Sequence, residues 1–286
     1  MKLTARFLAL IALLALVASA PLAAQSTQPQ KPPGTPAQPP SKQPGAPSGA
    51  PADQPPAPPV NPEEEAAWKA FSETKDPTLI VKLGEAFVEK YPSSRRKEIA
   101  LTMLTQHYLN LQQMDKLFTV GEQVLLMNPN NLDVLTILCW TTARTTRPDA
   151  QDAVQRWDKA EKYGRHAVEL LSSLPKPEQL TEEQFKKTRD EGLSMAHSGL
   201  GVVQFRREMY TAAATEFEQA IKLTANPDAT DLYLHGVVLK ATKRYADASE
   251  AFGRCSANPG PFQDSCKKEQ AECKKLAETN LAPPKP

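Results

Sequence analysis

A 35-residue period is the feature that most narrows what this chain can become. The stretch SMAHSGLGVVQFRREMYTAAATEFEQAIKLTANPD starts at Ser194, and ATDLYLHGVVLKATKRYADASEAFGRCSANPG starts at Ala229. Aligned, they set Gly201 over Gly236, Tyr210 over Tyr245, Ala213 over Ala248, Phe217 over Phe252 and Ala220 over Cys255, each pair 35 residues apart. A fixed period of this length marks stacked supersecondary units, each burying its apolar face on its neighbours. Glycine inside a helix costs about 1 kcal/mol relative to alanine. Gly201 and Gly236 are therefore expected where a second helix comes very close. Ala213 and Ala220 keep one helix face thin, and Phe217 fills the space between them. Asn226-Pro227 and Asn258-Pro259 end the second helix of each unit.

This pattern resembles the tetratricopeptide repeat (TPR), a helix pair carrying W–LG–Y followed by A–F–A–P over about 34 residues. Leu200-Gly201, Ala213, Phe217, Ala220 and Pro227 match one copy, with His197 where tryptophan usually stands. Gly236, Ala248 and Phe252 match the next, with Cys255 in place of the second alanine. Weaker copies lie upstream. Leu101, Leu104, Tyr108, Leu117, Val124 and Pro129 fit a unit whose small residues have become aliphatic. Leu135, Leu138 and Cys139 open another, completed by Ala160, Gly164 and Ala167 after an insertion around residues 144–153. The first pair spans roughly residues 63–72 and 77–90 and ends in Tyr91-Pro92-Ser93, an ending similar to that of bacterial envelope TPR proteins.

The resemblance implies an all-α fold, a right-handed superhelical solenoid of about four to five helix pairs over residues 63–280, closed by a capping helix. The clearest repeats are 194–227 and 229–261. Leu174-Pro175-Lys176-Pro177 stops a long helix, and Thr181-Glu182-Glu183-Gln184 reads as a capping box that starts one running to about Arg207. A last helix over roughly residues 262–278, polar on most sides, suits a solenoid end, which otherwise exposes an apolar face. Residues 281–286 are expected to fray.

Ahead of the repeats the composition changes twice. Residues 1–24 carry Lys2 and Arg6, no acid, and an unbroken apolar run from Phe7 to Ala18. That is the layout of a secretory signal peptide, and the run is short of the roughly 18–20 residues a membrane span needs. Cleavage is expected after Ala24, because Pro21 follows the Ala18-Ser19-Ala20 box; an uncleaved anchor is the other outcome. No cysteine precedes Cys139, which excludes lipid attachment at an N-terminal cysteine. Residues 25–62 hold 14 of the 27 prolines, no aromatic residue and one large aliphatic, Val60. Such a stretch cannot bury enough surface to fold and reads as a disordered proline-rich linker favouring polyproline II. The expected location is therefore exported: the periplasm or cell envelope, or the medium. Beyond residue 24 the net charge is −1, which gives no basic field for nucleic acid. A membrane contact is expected only through an uncleaved signal.

Export permits a disulfide. Cys139 sits in an apolar run and reads as a buried thiol. Cys266 and Cys273 lie seven residues apart on one helix, about 10 Å, too far to bridge each other. A Cys255–Cys266 bridge would staple the cap to the last repeat; Cys273 is the other possible partner of Cys255. No zinc spacing, haem motif, P-loop, HExxH or GxSxG is present, and His107, His166, His197 and His235 are scattered. Gly199-Leu200-Gly201 lies inside a helix, follows no strand and is no dinucleotide motif. The residues thus name no catalytic group, no metal site and no cofactor.

TPR domains typically hold a peptide or protein segment in the concave groove lined by the first helix of each pair. Carried over by register, the groove comprises Gln106 and Asn110, then Trp140 and Arg144, then Phe205 and Arg206, then Tyr233 and Lys240, with Leu109, Thr136, Ser198, Val202 and Val237 between them. Aromatic and cationic residues dominate interaction hot spots, and this set suits an extended peptide bearing acidic or carboxylate groups. The Asn/Lys carboxylate clamp of chaperone-binding TPR domains is not reproduced here. The expected role is a non-enzymatic protein-interaction scaffold of the cell envelope. A factor in outer-membrane or cell-wall assembly is one alternative, and a hydrolase or thiol-redox protein is another.

Overall fold

The computed structural model describes residues 61–281; the signal-peptide and proline-rich segments lie outside the described residues. Eleven α-helices and no strand occur among the described residues. They are α1 (Pro62–Glu73), α2 (Pro77–Lys90), α3 (Lys97–Asn110), α4 (Met114–Met127), α5 (Leu132–Thr145), α6 (Ala153–Ser173), α7 (Glu182–Arg206), α8 (Tyr210–Lys222), α9 (Ala229–Ala241), α10 (Tyr245–Ala257) and α11 (Gln263–Leu281). Consecutive helices pair as hairpins, and each hairpin packs on the next, so the chain builds a helical solenoid of five pairs with α11 laid over α10.

The helix starts are written in polar caps. Asn61 and Asp76 each accept two backbone N–H bonds ahead of a proline in the first turn of α1 and α2. Asn131 accepts from the Val134 amide to start α5, and its side-chain amide donates to Glu98 and Thr102 of α3, tying two hairpins together. Thr181 and Gln184 form the reciprocal capping box of α7.

Three hairpin turns share a geometry that the residue types do not announce. Gln112, Glu208 and Lys243 adopt φ of 57°, 59° and 60°. Each closes a C-terminal cap in which the following amide reaches far back into the helix: Gln113 to Tyr108, Met209 to Gln204 and Arg244 to Leu239. Glycine is the usual residue there, so each of these side chains carries roughly 1 kcal/mol of strain, which the packing of both helices overrides.

Packing follows the periodic residues. A Cβ on Gly201 would meet the Phe217 ring at 2.7 Å, and one on Gly236 would meet Phe252 at 2.5 Å, so both rings lie flat against bare backbone. Phe217, Phe252, Ala213 and Ala248 are fully buried. In the N-terminal half Phe71, Phe87, Leu104, Leu117 and Val124 do the same work with larger side chains. Between the halves α5 is wedged against α6 and α7, with the Cys139 sulfur facing both Gly164 and Gly199.

The cap is covalently fixed. Cys255 of α10 and Cys266 of α11 form a disulfide, with Cα atoms 5.8 Å apart. Closing a loop of this size contributes about 3 kcal/mol. Reduction, or the Cys255→Ala/Cys266→Ala pair, is expected to lower stability by about that amount. Hydrogen exchange of α11, read by mass spectrometry, should accelerate before that of α1–α6.

Candidate functional site

The residues expected in the groove separate into two groups. Trp140 and Arg144 of α5, Ser198 of α7 and Asp231 of α9 form one polar cluster across three consecutive first helices. Arg144 Nη2 donates to Ser198 Oγ and to Asp231 Oδ1, both at 2.7 Å, and the Ser198 hydroxyl donates to the same carboxylate. The guanidinium lies over the Trp140 ring, 4.4 Å from its centroid. Asp231 is 3% exposed; burial raises its pKa while Arg144 opposes the rise. At the C-terminal end Tyr233 stacks on Phe262 at a centroid separation of 4.8 Å. Lys240 reaches Glu269 and Glu272 of α11 at 2.7 and 2.8 Å. These two carboxylates raise the Lys240 pKa well above its ordinary range.

Arg144 and Lys240 are therefore already paired within the protein, and of the three cations expected in the groove only Arg206 takes part in no ion pair among the described residues. The partners of Arg144 and Lys240 are 87 and 29 residues away along the chain, and no local pattern announces them.

The first-helix face also encloses hydrogen-bonding capacity that the chain does not use. Gln106 Nε2, Asn110 Oδ1, Arg144 Nη1 and Arg206 Nε make no hydrogen bond within the described residues. Asn110, Trp140, Phe205 and Arg206 are half-buried, whereas Gln106 is 4% exposed. Asp133, in the first turn of α5, is also 4% exposed and unpaired at Oδ1. Burial pushes its pKa up to about 7. A carboxyl whose pKa is higher folded than unfolded favours the fold when protonated. Wild-type stability should accordingly fall as pH rises from about 4 to about 7 on account of this group. Asp133→Asn is expected to gain on the order of 2–4 kcal/mol at pH 8 and almost nothing at pH 4. Thermal melts at both pH values check it.

The histidines have structural partners or structural surroundings. His197 Nδ1 lies 2.7 Å from Glu216, and His166 Nε2 lies 2.8 Å from Asn130. Burial lowers the pKa of His107 and His235. The unpaired thiols point away from redox work, because burial pushes Cys139 up to about 12 and also raises Cys273. Both stay protonated and enclosed. No group of three or more potential metal ligands occurs among the described residues, nor any helix long and apolar enough to cross a membrane.

A second surface, absent from the sequence reading, lies between α4 and α6. These two helices bracket a cleft with two lobes of about 520 and 620 Å³. The lobes meet at Tyr163, whose hydroxyl donates to Glu122 at 2.9 Å while Lys159 approaches the same carboxylate at 3.3 Å. Leu125, Pro129, Leu135 and the 87%-exposed Leu126 line the more apolar lobe. Phe118 and Asp115 stand in the other. The only trace in the sequence is the run Val124-Leu125-Leu126-Met127, one apolar residue longer than a half-buried helix face needs.

No protein-family model matches the chain, and no curated protein matches it. Among solved structures, it is similar to TTC0263, a thermophilic TPR protein of Thermus thermophilus. Identity is 12% and the TM-score 0.46, over 74% of this chain and 99% of that one. It is also similar to a tetratricopeptide repeat protein from Parabacteroides merdae. There identity is 14% and the TM-score 0.26, over 74% of this chain and 98% of the other.

Proposed function

We propose that this protein is a non-enzymatic scaffold that holds an extended segment of another protein along the first-helix face of its TPR-like solenoid. One observation carries the reading. Gln106, Asn110, Arg144 and Arg206, on three successive first helices, each keep a polar atom unsatisfied within the described residues, beside the half-buried rings of Trp140 and Phe205. These atoms are enclosed as the chain stands, but Asn110 and Arg206 are half-buried, and rotation of their side chains would present them to the regularly spaced backbone donors and acceptors of an extended peptide. With Arg144 and Lys240 already paired, the segment is polar rather than strongly acidic. The apolar N-terminal run and the proline-rich stretch support a place in the cell envelope, on a spacer that holds the solenoid away from a surface. Assembly of an outer membrane or wall is a role of this kind.

The test is a crosslinking capture from the native envelope fraction with the full chain, wild type beside Asn110→Ala/Arg206→Ala. Both side chains are half-buried, so the helical circular-dichroism signal should stay intact. A partner captured by wild type and lost from the double variant, yet retained by Leu126→Glu in the α4–α6 cleft, supports the reading. Equal capture by all three chains overturns it.

A further inference from the structure

The cleft between α4 and α6 invites a different occupant. We propose that it receives the chain's own proline-rich segment, residues 32–44, as an intramolecular ligand.

Shape is the first support. The 14 residues of α4 make a wall about 21 Å long. A polyproline II stretch rises about 3.1 Å per residue, so about seven of the 13 residues of 32–44 fill that length. Residues 32–44 contain six prolines, enough to hold such a stretch extended at little entropic cost. Chemistry is the second. Polyproline II ligands dock on apolar grooves set with aromatic rings, and this cleft presents Phe118 and Tyr163 with Leu125, Leu126 and Pro129. Tyr163 lines both lobes, and its hydroxyl is held by Glu122.

Reach is the third. Sixty residues precede Asn61, where α1 begins. Packed helices stand 8–10 Å apart, so the cleft lies roughly 30–40 Å from that point. Residues 45–60 span about 50 Å when extended. A tethered ligand is present at an effective concentration in the millimolar range, which lets a weak contact stay occupied. Docking would cover Leu126, which is otherwise the most exposed of the large apolar side chains among the described residues, and would draw the linker back along the solenoid.

The experiment uses the full chain. Hydroxyl-radical footprinting compares wild type with a variant in which the six prolines of residues 32–44 are replaced by serine. Labelling of Leu125, Leu126 and Tyr163 is expected to be at least threefold lower in wild type. Leu126→Glu changes a solvent-facing residue and leaves the helices intact. It should raise tryptic cleavage after Lys42 by a similar factor. Equal labelling and equal cleavage in all chains overturn the proposal. Protection that grows with protein concentration overturns it too, because the occupant is then a neighbouring copy.

Discussion

Replacing Gly199 with alanine is expected to cost the protein about 3 kcal/mol, although alanine is the better helix former by about 1 kcal/mol. The reason is where the added methyl must go. It would lie 2.5 Å from the Cys139 sulfur, 3.0 Å from the Trp140 backbone nitrogen and 3.1 Å from the Cys139 carbonyl carbon. A side chain can rotate away from a new neighbour; the backbone of α5 can retreat only by separating α5 from α7. That separation opens the junction between the two halves of the core, where Cys139 is fully enclosed. Cys139→Ala in the same chain should recover only part of the loss, since the backbone contacts remain. Gly253→Ala is the control. It too sits inside a helix, but its methyl meets the Gln270 amide at 2.7 Å, the free end of a flexible side chain. That variant should gain roughly 0.5–1 kcal/mol. Urea unfolding of the three chains separates the cases, and a Gly199→Ala midpoint equal to wild type refutes the close approach as the cause.

The same glycines show how far the sequence could be read. Gly201 and Gly236 are legible because a period repeats them together with the phenylalanine each one faces, so the two copies explain each other. Gly199 has no counterpart 35 residues on, where Leu234 stands, and its role depends on α5, earlier in the chain by about two repeat lengths. Helix boundaries were legible where the residues that set them are local, as at the Thr181–Gln184 box and Leu174-Pro175. The Cys255–Cys266 bridge was legible for the same reason, since a helix separates Cys266 from Cys273 and a turn brings Cys255 near. The left-handed turns at Gln112, Glu208 and Lys243 were not, because none carries the glycine that normally signals them. Register put Trp140, Arg144 and Ser198 together on the first-helix face, but charge alone could not tell a free cation from a committed one. The α4–α6 cleft was invisible for another reason: it is defined by what two helices leave unfilled, and a sequence records only what is present.

Breaking the Arg144–Asp231 pair is the second change expected to be severe. Asp231 is nearly enclosed, and Arg144 is its sole cationic partner among the described residues. Arg144→Ala leaves a buried carboxylate with one hydroxyl for company, a situation that costs about 3–5 kcal/mol. The sign of the pH dependence follows. Burial already raises the Asp231 pKa, and removing the guanidinium raises it further, so protonation then relieves the strain. The variant should be weakest above neutral pH and approach wild type as pH falls through the carboxyl's pKa. Arg144→Met/Asp231→Leu removes both charges and should regain most of the loss, because a buried ion pair is worth little beyond its apolar replacement. A double variant as unstable as Arg144→Ala would mean that the pair sets the helix register rather than merely cancelling a charge. The outcome also bears on function. Arg144 sits on the Trp140 ring on the first-helix face, so a charge reversal there would break contacts that join α5, α7 and α9 whether or not a partner binds. Only variants at Asn110 and Arg206, which change the surface and spare this pair, can distinguish a lost binding site from a lost fold.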